Sequence, residues 1–414
     1  MIRQSRNLLV AFLFLSLSVG LVSSAAKADS NWPGWRGPLQ TGHSLETGFP
    51  HEWSDGNVAW KSDLPGDGQS SPVIWGDRIF LTAALENGGE RVALCVDRKS
   101  GKILWEKSLW KGEPEQTHKM NGWASATCAT DGERVYAFFG KGGGLFCLST
   151  DGELLWNRSL GEFPSPWGTA ACPVLVDGMV IQNCDSEGDS FLLAVDAKTG
   201  KDAWRTPRES LRGWSTPVLI ETAERREIVL QGETGVRAYD PKSGKQLWLT
   251  TGSTGRGTPT VTPANGLLYV IPGRGGEIAA LRPGGEGDVT RSHKEWGTAR
   301  KGRDLSSPIV IGDFVLIISQ KGGILSCYDA STGVMHWQER LGGNHSASPV
   351  SFDGLAAFIA EEGEAVLVRP GKELDIVSRS TLTSGSDEIF RSTIIPSGGQ
   401  LFIRSTKRLY CVGK

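Results

Sequence analysis

The side chains able to do chemistry are few and scattered along the 414 residues, which include six histidines and seven cysteines. His118 lies in a polar stretch at 110–124, His336 just before a tryptophan and His345 just before a strand, and none stands at a spacing that builds a metal cluster. No metal site is therefore expected. The chain has no C-x-x-C-H for haem attachment. GKGGG at 140–144 and GRGG at 273–276 read as β-turns and not as phosphate loops, because no helix follows either. No catalytic constellation emerges.

What does stand out is a set of aromatic and charged residues outside any regular phrase. Trp123, Trp167 and Trp214, with Arg256, Arg303, Asp304, Asn344, His345 and Arg391, fall in segments that enter a strand. Lys141, Arg274 and Lys321 fall in turns. Gathered on one face, these residues would wall a pocket suited to a planar or anionic ligand or a peptide. The competing account is that the indoles cap the core and the charges are solvated loop residues.

The elements that must position them are set by one eleven-residue phrase. It is cleanest as AYDPKSGKQLW at 238–248 and returns as CVDRKSGKILW at 95–105, AVDAKTGKDAW at 194–204 and CYDASTGVMHW at 327–337, with a one-residue deletion in CLSTDGELLW at 147–156. A recurrent unit that carries its own turn is a supersecondary repeat. The acid at position three can accept backbone N–H groups in the turn, and Gly at position seven can take φ > 0. The Trp packs between units and requires a small residue at position one. Trp60, Trp105, Trp156, Trp204, Trp248, Trp296 and Trp337 take that docking role, each covering roughly 150–250 Å².

Between phrases the unit at 70–109 divides into four strand candidates at 72–75, 78–83, 91–96 and 102–108, separated by turn residues. Four antiparallel strands per repeat make a propeller blade. The first-strand slot recurs as Pro72, Pro173, Pro217, Pro259, Pro308 and Pro349, with Cys128 and Thr393 in the same slot, which gives eight blades. The long first step is filled by the insertion at 110–124. The eighth unit ends before any Trp strand, and the segment at 57–64 carries an orphan Trp60 one repeat length ahead of Trp105. The fold is thus expected to be all-β, an eight-bladed β-propeller over 57–414 of four-stranded antiparallel blades, with the N-terminal strand around Trp60 completing the last blade. Blades five (Pro283 onward) and seven (VRPGKELDIV) are degenerate, and degeneracy of this kind reads as drift or as a partner surface.

Length alone allows two or three domains, but a closed repeat array can run this long as one. Residues 1–28 carry Arg3 and Arg6, an apolar run at 8–22 and Ala26-Lys27-Ala28, the pattern of a secretory signal peptide. A membrane anchor is the rival, but the run is short for a span. No cysteine precedes Cys95, so the protein is not expected to be a lipoprotein, and it is expected in the periplasm or outside the cell as a monomer without a transmembrane segment after cleavage. Losing Arg3, Arg6 and Lys27 takes the net charge from −2 to −5, which argues against nucleic acid as a partner. Residues 29–56 form a Trp/Gly/Pro-rich lead-in whose Trp32, Trp35, Phe49 and Trp53 are expected to pack on the larger body. Cys95, Cys147, Cys327 and Cys411 fill the small first position of the phrase, as Ala does elsewhere. Cys128 and Cys172 open inner strands of neighbouring blades and could form a disulfide in an exported protein.

The A-x-D-x-x-x-G-x-x-x-W spacing resembles the tryptophan-docking motif of the pyrroloquinoline quinone (PQQ) repeat family over residues 57–414, and WPGWRGP at 32–38 resembles the lead-in of secreted PQQ-like repeat proteins. The family includes quinoprotein dehydrogenases, with PQQ and calcium at the propeller axis, and cofactor-free relatives such as the β-barrel assembly propeller lipoprotein. The absence of a Cys-Cys pair, of a haem site and of the length of the large alcohol-oxidising members favours the second kind. The resemblance then implies a non-catalytic binding or scaffold protein with no cofactor, engaging a protein or peptide partner in the cell envelope or a small ligand. The alternative is a PQQ- and Ca²⁺-dependent alcohol or aldose dehydrogenase.

Overall fold

The computed structural model describes residues 30–252, 255–382, 385 and 387–413, so the expected signal peptide lies outside the described residues. Eight sheets follow one another along the chain, and no α-helix occurs among the described residues. Blade one is built from Val73–Trp75, Arg78–Leu85, Glu90–Asp97 and Ile103–Lys111, paired antiparallel in chain order. Six further blades repeat this order over 129–158, 174–207, 218–249, 262–303, 309–340 and 350–381. The second and third strands of blade one are nearly all buried, while its fourth is mostly exposed at the rim.

The eighth blade is closed as expected. Its outermost strand is Val58–Asp63, which pairs antiparallel with Arg408–Val412, and Trp60 stands opposite Cys411 as Trp105 stands opposite Cys95. One sheet thus holds both ends of the ring. All seven small residues at position one, from Cys95 to Cys411, are fully buried, so the four cysteines there are packing groups.

The docking tryptophans act between blades. Trp60, Trp105, Trp156, Trp204, Trp296 and Trp337 each donate their indole N–H to a carbonyl in the last turn of the following blade, at 2.9–3.1 Å. The phrase's Gly seats this ring as well as turning the chain: at Gly244, with φ of 69°, an added Cβ would lie 2.3 Å from Trp204. Trp248 differs because blade five's last turn is enlarged. Its N–H goes to the buried Glu227 at 2.7 Å, and Gly287–Asp288 of the enlarged turn pairs in parallel with the edge strand Gln246–Leu249.

Blade seven corrects the reading of its degeneracy as drift or a partner surface. Ser378 occupies the Trp slot opposite Leu367, with the same register shift after it as in the other blades. A Trp there would have no turn to dock on, since blade eight's third and fourth strands come from opposite ends of the chain. The lead-in covers the place instead: Trp53, 3 % exposed, packs into the blade seven and eight core, and its backbone N–H donates to Ser380 Oγ at 3.0 Å.

Before that point the lead-in crosses the face that carries the turns between first and second strands. Trp32 bridges Ile74 of blade one, Gln40 Oε1 accepts Leu219 N–H of blade four at 2.9 Å, and Asp353 of blade seven accepts Gly48 N–H at 2.8 Å. Arg36 is buried under this crossing and donates to Pro308 O of blade six at 2.7 Å. Trp32, Phe49 and Trp53 are buried as expected; Trp35 is not, for a reason found at the axis.

Candidate functional site

Each inner strand is preceded by a small polar residue, and these residues are tied to one another around the axis. Ser71 N–H donates to Thr127 Oγ1 (2.9 Å), Thr127 N–H to Cys172 Sγ (3.2 Å), Cys172 N–H to Thr216 Oγ1 (3.0 Å) and Thr216 N–H to Thr260 Oγ1 (3.4 Å). Thr260 N–H continues to Ser307 Oγ and Ser307 N–H to Ser348 Oγ, both at 2.9 Å. Thr393 closes the circle by donating its hydroxyl to Ser348 O and its N–H to Ser71 Oγ, both at 3.1 Å. The ring corrects the register read from proline: the first-strand slot is Val261 in blade five and Ile394 in blade eight, one place after the ring residue, and not Pro259 or Thr393. It also explains why Cys128 and Cys172 are not bonded. All seven cysteines are free and buried; Cys172 Sγ stands where its neighbours have a hydroxyl, and Cys128 points into the blade one and two core.

Above the ring lies a cavity of ≈ 620 Å³ on the face of the strand-entering loops. Trp35 reaches it from the lead-in below, and its Nε1 donates to Thr260 Oγ1 at 3.2 Å. Trp167 and Trp214 wall one side, with Trp214 Nε1 donating to Gly168 O at 2.8 Å. His118, Met120 and Asn121 of the 110–124 insertion wall another, and Asn121 Nδ2 holds Trp167 O at 2.8 Å. The insertion therefore folds over the pocket. Arg256, Arg274, Arg303 and Arg391 complete the rim.

The electrostatics of the mouth are one-sided. Among the described residues no Asp or Glu lines the pocket. Arg391 pairs with Glu361 at 3.2 Å, while Arg256, Arg274 and Arg303 make no ion pair among the described residues. Arg256 stacks over the Trp167 ring at 5.2 Å, and its pKa is lowered by burial and by repulsion from Arg274, Arg212 and Arg303. The His118 pKa is lowered too, by burial first and then by Arg303, Lys119, Arg256 and Arg391.

Six of the twelve residues singled out in the sequence, Trp167, Trp214, Arg256, Arg274, Arg303 and Arg391, meet in this pocket. The other six do not line it. Trp123 lies behind the wall, donating to Glu115 O at 2.8 Å and stacked near the buried Arg91. Asp304 is buried against Arg300 at 2.9 Å, Asn344 accepts Gly322 N–H in a turn, and His345 is buried with Nε2 on Gly342 O at 3.0 Å. Lys141 pairs with Glu162 at 2.9 Å, and Lys321 is exposed. Sequence reasoning missed Trp35, His118 and the hydroxyl ring. The signal for the ring was a Ser, Thr or Cys one place before each inner strand, hidden because proline was the residue counted.

A calcium ion does not fit this donor set. Calcium takes six to eight oxygens with carboxylates prominent among them, whereas the lining supplies hydroxyls and guanidinium groups. Among the described residues no group of three or more His, Cys, Asp or Glu side chains could hold a metal. No helix among them is long and apolar enough to cross a membrane.

Comparison with known proteins places the chain among PQQ-like propellers. It is 27 % identical over 180 residues to the quinohemoprotein alcohol dehydrogenase ADH IIB of Pseudomonas putida, covering 40 % of this chain and 25 % of that protein. It is 28 % identical over 153 residues to the outer membrane protein assembly factor BamB of Burkholderia pseudomallei strain K96243, covering 36 % and 33 %. The matches thus span a quarter to a third of the length of these relatives. A europium-containing methanol dehydrogenase superposes with a TM-score of 0.69 at 11 % identity over 94 % of this chain and 99 % of that one, a likeness of fold. A family model described as outer membrane protein assembly factor BamB matches residues 50–165, 89–339 and 167–413, and the chain belongs to that family of PQQ-like repeat propellers.

Proposed function

We propose that this protein is an exported, non-catalytic binding propeller that engages an envelope protein segment or a small ligand through the axial pocket. The observation that carries the reading is the convergence on one cavity of Trp167, Trp214 and three arginines without ion pairs among the described residues, with no carboxylate among the described lining residues to act as acid, base or metal ligand. Guanidinium groups without ion pairs beside half-buried indoles are the composition of binding sites, where Arg and Trp supply most of the interaction energy. The match to an assembly-factor family model along nearly the whole chain supports a scaffold role.

The second reading, a PQQ- and Ca²⁺-dependent dehydrogenase, draws on the fold likeness to a methanol dehydrogenase. The donor set speaks against its calcium. Purified protein incubated with PQQ and Ca²⁺ is expected to reduce no dye with alcohols or aldoses. The Trp214→Ala/Arg256→Ala double variant is expected to fold with an unchanged circular dichroism spectrum and to lose the partner that the unaltered protein retains from envelope extract. Dye reduction with turnover, or retention of the same partner by the variant, overturns the proposal.

A further inference from the structure

A row of cations runs from the pocket mouth outward over blades five and six, and hydrogen bonds of the backbone place its members side by side. We infer that this row seats an acidic polypeptide segment, a run of Asp and Glu that lies across the axial face. This rests on the binding reading above and names the chemistry of the partner.

Arg256 N–H donates to Pro272 O at 2.9 Å, two residues before Arg274. Arg274 stands directly across the ladder from Arg303, at the axial end of blade five's third and fourth strands, Arg274–Leu281 and Lys294–Arg303. Arg303 O accepts Gln320 N–H of blade six at 2.7 Å, which puts Lys321 next in line. Beyond it Arg340 Nη1 donates to Gly322 O at 3.1 Å. Arg274, Arg303, Lys321 and Arg340 are exposed and Arg256 is half-buried, and none of them makes an ion pair among the described residues. Glu233 does act on Arg256, but Arg212 holds that carboxylate at 3.4 Å, and repulsion from Arg274, Arg212 and Arg303 outweighs it.

Like charges directly opposite on a ladder are destabilising, so the Arg274 and Arg303 pair weakens the free protein. The chain as a whole carries a net charge of −2, so the row is not the by-product of a basic composition. It is relieved by a partner that brings carboxylates, which guanidinium groups bind through paired N–H donors. Cations shared by blades four, five and six need carboxylates strung along a chain, not one compact anion.

An anionic membrane is the other surface that such a row could meet. Proteins that lie on a bilayer combine their cations with exposed apolar anchors. Among the described residues the exposed large apolar side chains lie elsewhere: Leu39 and Leu45 in the lead-in, and Leu104, Leu155, Met335 and Ile376 where outermost strands begin, at the end of the blades away from the pocket mouth. The axial face therefore fits an acidic peptide better than a lipid surface.

A fluorescently labelled oligoglutamate peptide tests the assignment by anisotropy on the purified protein, beside the matching oligoglutamine and vesicles containing phosphatidylglycerol. The acidic peptide is expected to bind at least tenfold tighter than the oligoglutamine, and Arg274→Glu/Lys321→Glu to weaken it tenfold or more. Lys198→Glu/Lys242→Glu makes the same change of charge in turns on the opposite face and should leave binding nearly unchanged. Arg274→Glu alone removes the repulsion across the ladder, so it should raise the melting temperature while weakening the peptide, a combination that loss of structure does not give. Equal loss in the two double variants, a lower melting temperature in Arg274→Glu, or binding to the vesicles without binding of the peptide overturns the inference. If the peptide fails to bind while Trp214→Ala/Arg256→Ala still loses its envelope partner, this inference falls alone; if that variant retains the partner, the binding reading falls and takes the inference with it.

Discussion

Cys172 shows how far a residue's role departs from its type. In a chain expected to be exported a thiol near another thiol suggests a disulfide, yet Cys172 Sγ takes the N–H of Thr127 in a circle whose other N–H acceptors are hydroxyls. Burial raises the pKa of both Cys172 and Cys128, so neither is a ready thiolate. Cys172→Ser should therefore fall within about 0.5 kcal/mol of the parent in urea unfolding, because the serine oxygen restores the pattern of the ring. Cys172→Ala leaves the Thr127 N–H buried without an acceptor and should cost about 1–3 kcal/mol. Equal destabilisation by both would argue against the acceptor role. The residue scale is also where the sequence was least legible. Arg256 and Trp214 could be singled out because they broke the repeat, but Trp35 lies more than 200 residues from the threonine it bonds, and no local pattern reports that contact.

At the scale of the element, the phrase behaves as its chemistry dictates. Asp329 Oδ1 accepts Ser331 N–H at 3.0 Å and Thr332 N–H at 2.9 Å, with both hydroxyls added, and Asp97, Asp196 and Asp240 repeat the turn. The Ser331 and Thr332 hydroxyls hold the Asp329 carboxyl at about 2, below its ordinary 3.8. A carboxyl whose pKa is lower folded than unfolded stabilises the protein above the unfolded value and loses that contribution as pH falls through the folded one. The melting temperature should accordingly fall between about pH 4 and pH 2, and the gap between the parent and Asp329→Ala should narrow over the same range. A gap constant with pH would refute the turn's electrostatic role. The turn was legible because acid, hydroxyl and glycine stand at fixed offsets. The docking of each Trp on the next blade's turn was less so, since the partner lies 34–45 residues away. Trp105→Ala should cost about 3–5 kcal/mol, as removing a large ring from a packed site does, measured by urea unfolding.

The whole molecule is a ring whose seam is its special place. Eight blades and the closing strand could be read from the spacing of the phrase and from the unpaired Trp60, because a closed array must account for every strand. The path of the lead-in could not, for it has no period and follows contacts with blades one, four, six and seven that exist only once the ring is formed. Two deletions separate its role from that of the closing strand. A chain beginning at Ser54 keeps Val58–Asp63 but loses Trp35 and Trp53, so it should retain the hydrodynamic size of a chain beginning at Ser30 while melting earlier, because the blade seven and eight core opens to water. A chain beginning at Leu64 also loses the strand that covers Arg408–Val412, leaving five residues of unpaired edge beside a buried Cys411. Such an edge is a template for another chain. This shorter chain should elute as dimers or larger species, and adding a synthetic peptide of residues 54–66 should return it to the smaller size by filling the edge. Unchanged size and melting temperature in the shorter chain would mean that blade eight is stable with three strands and that the seam is not what holds the ring closed.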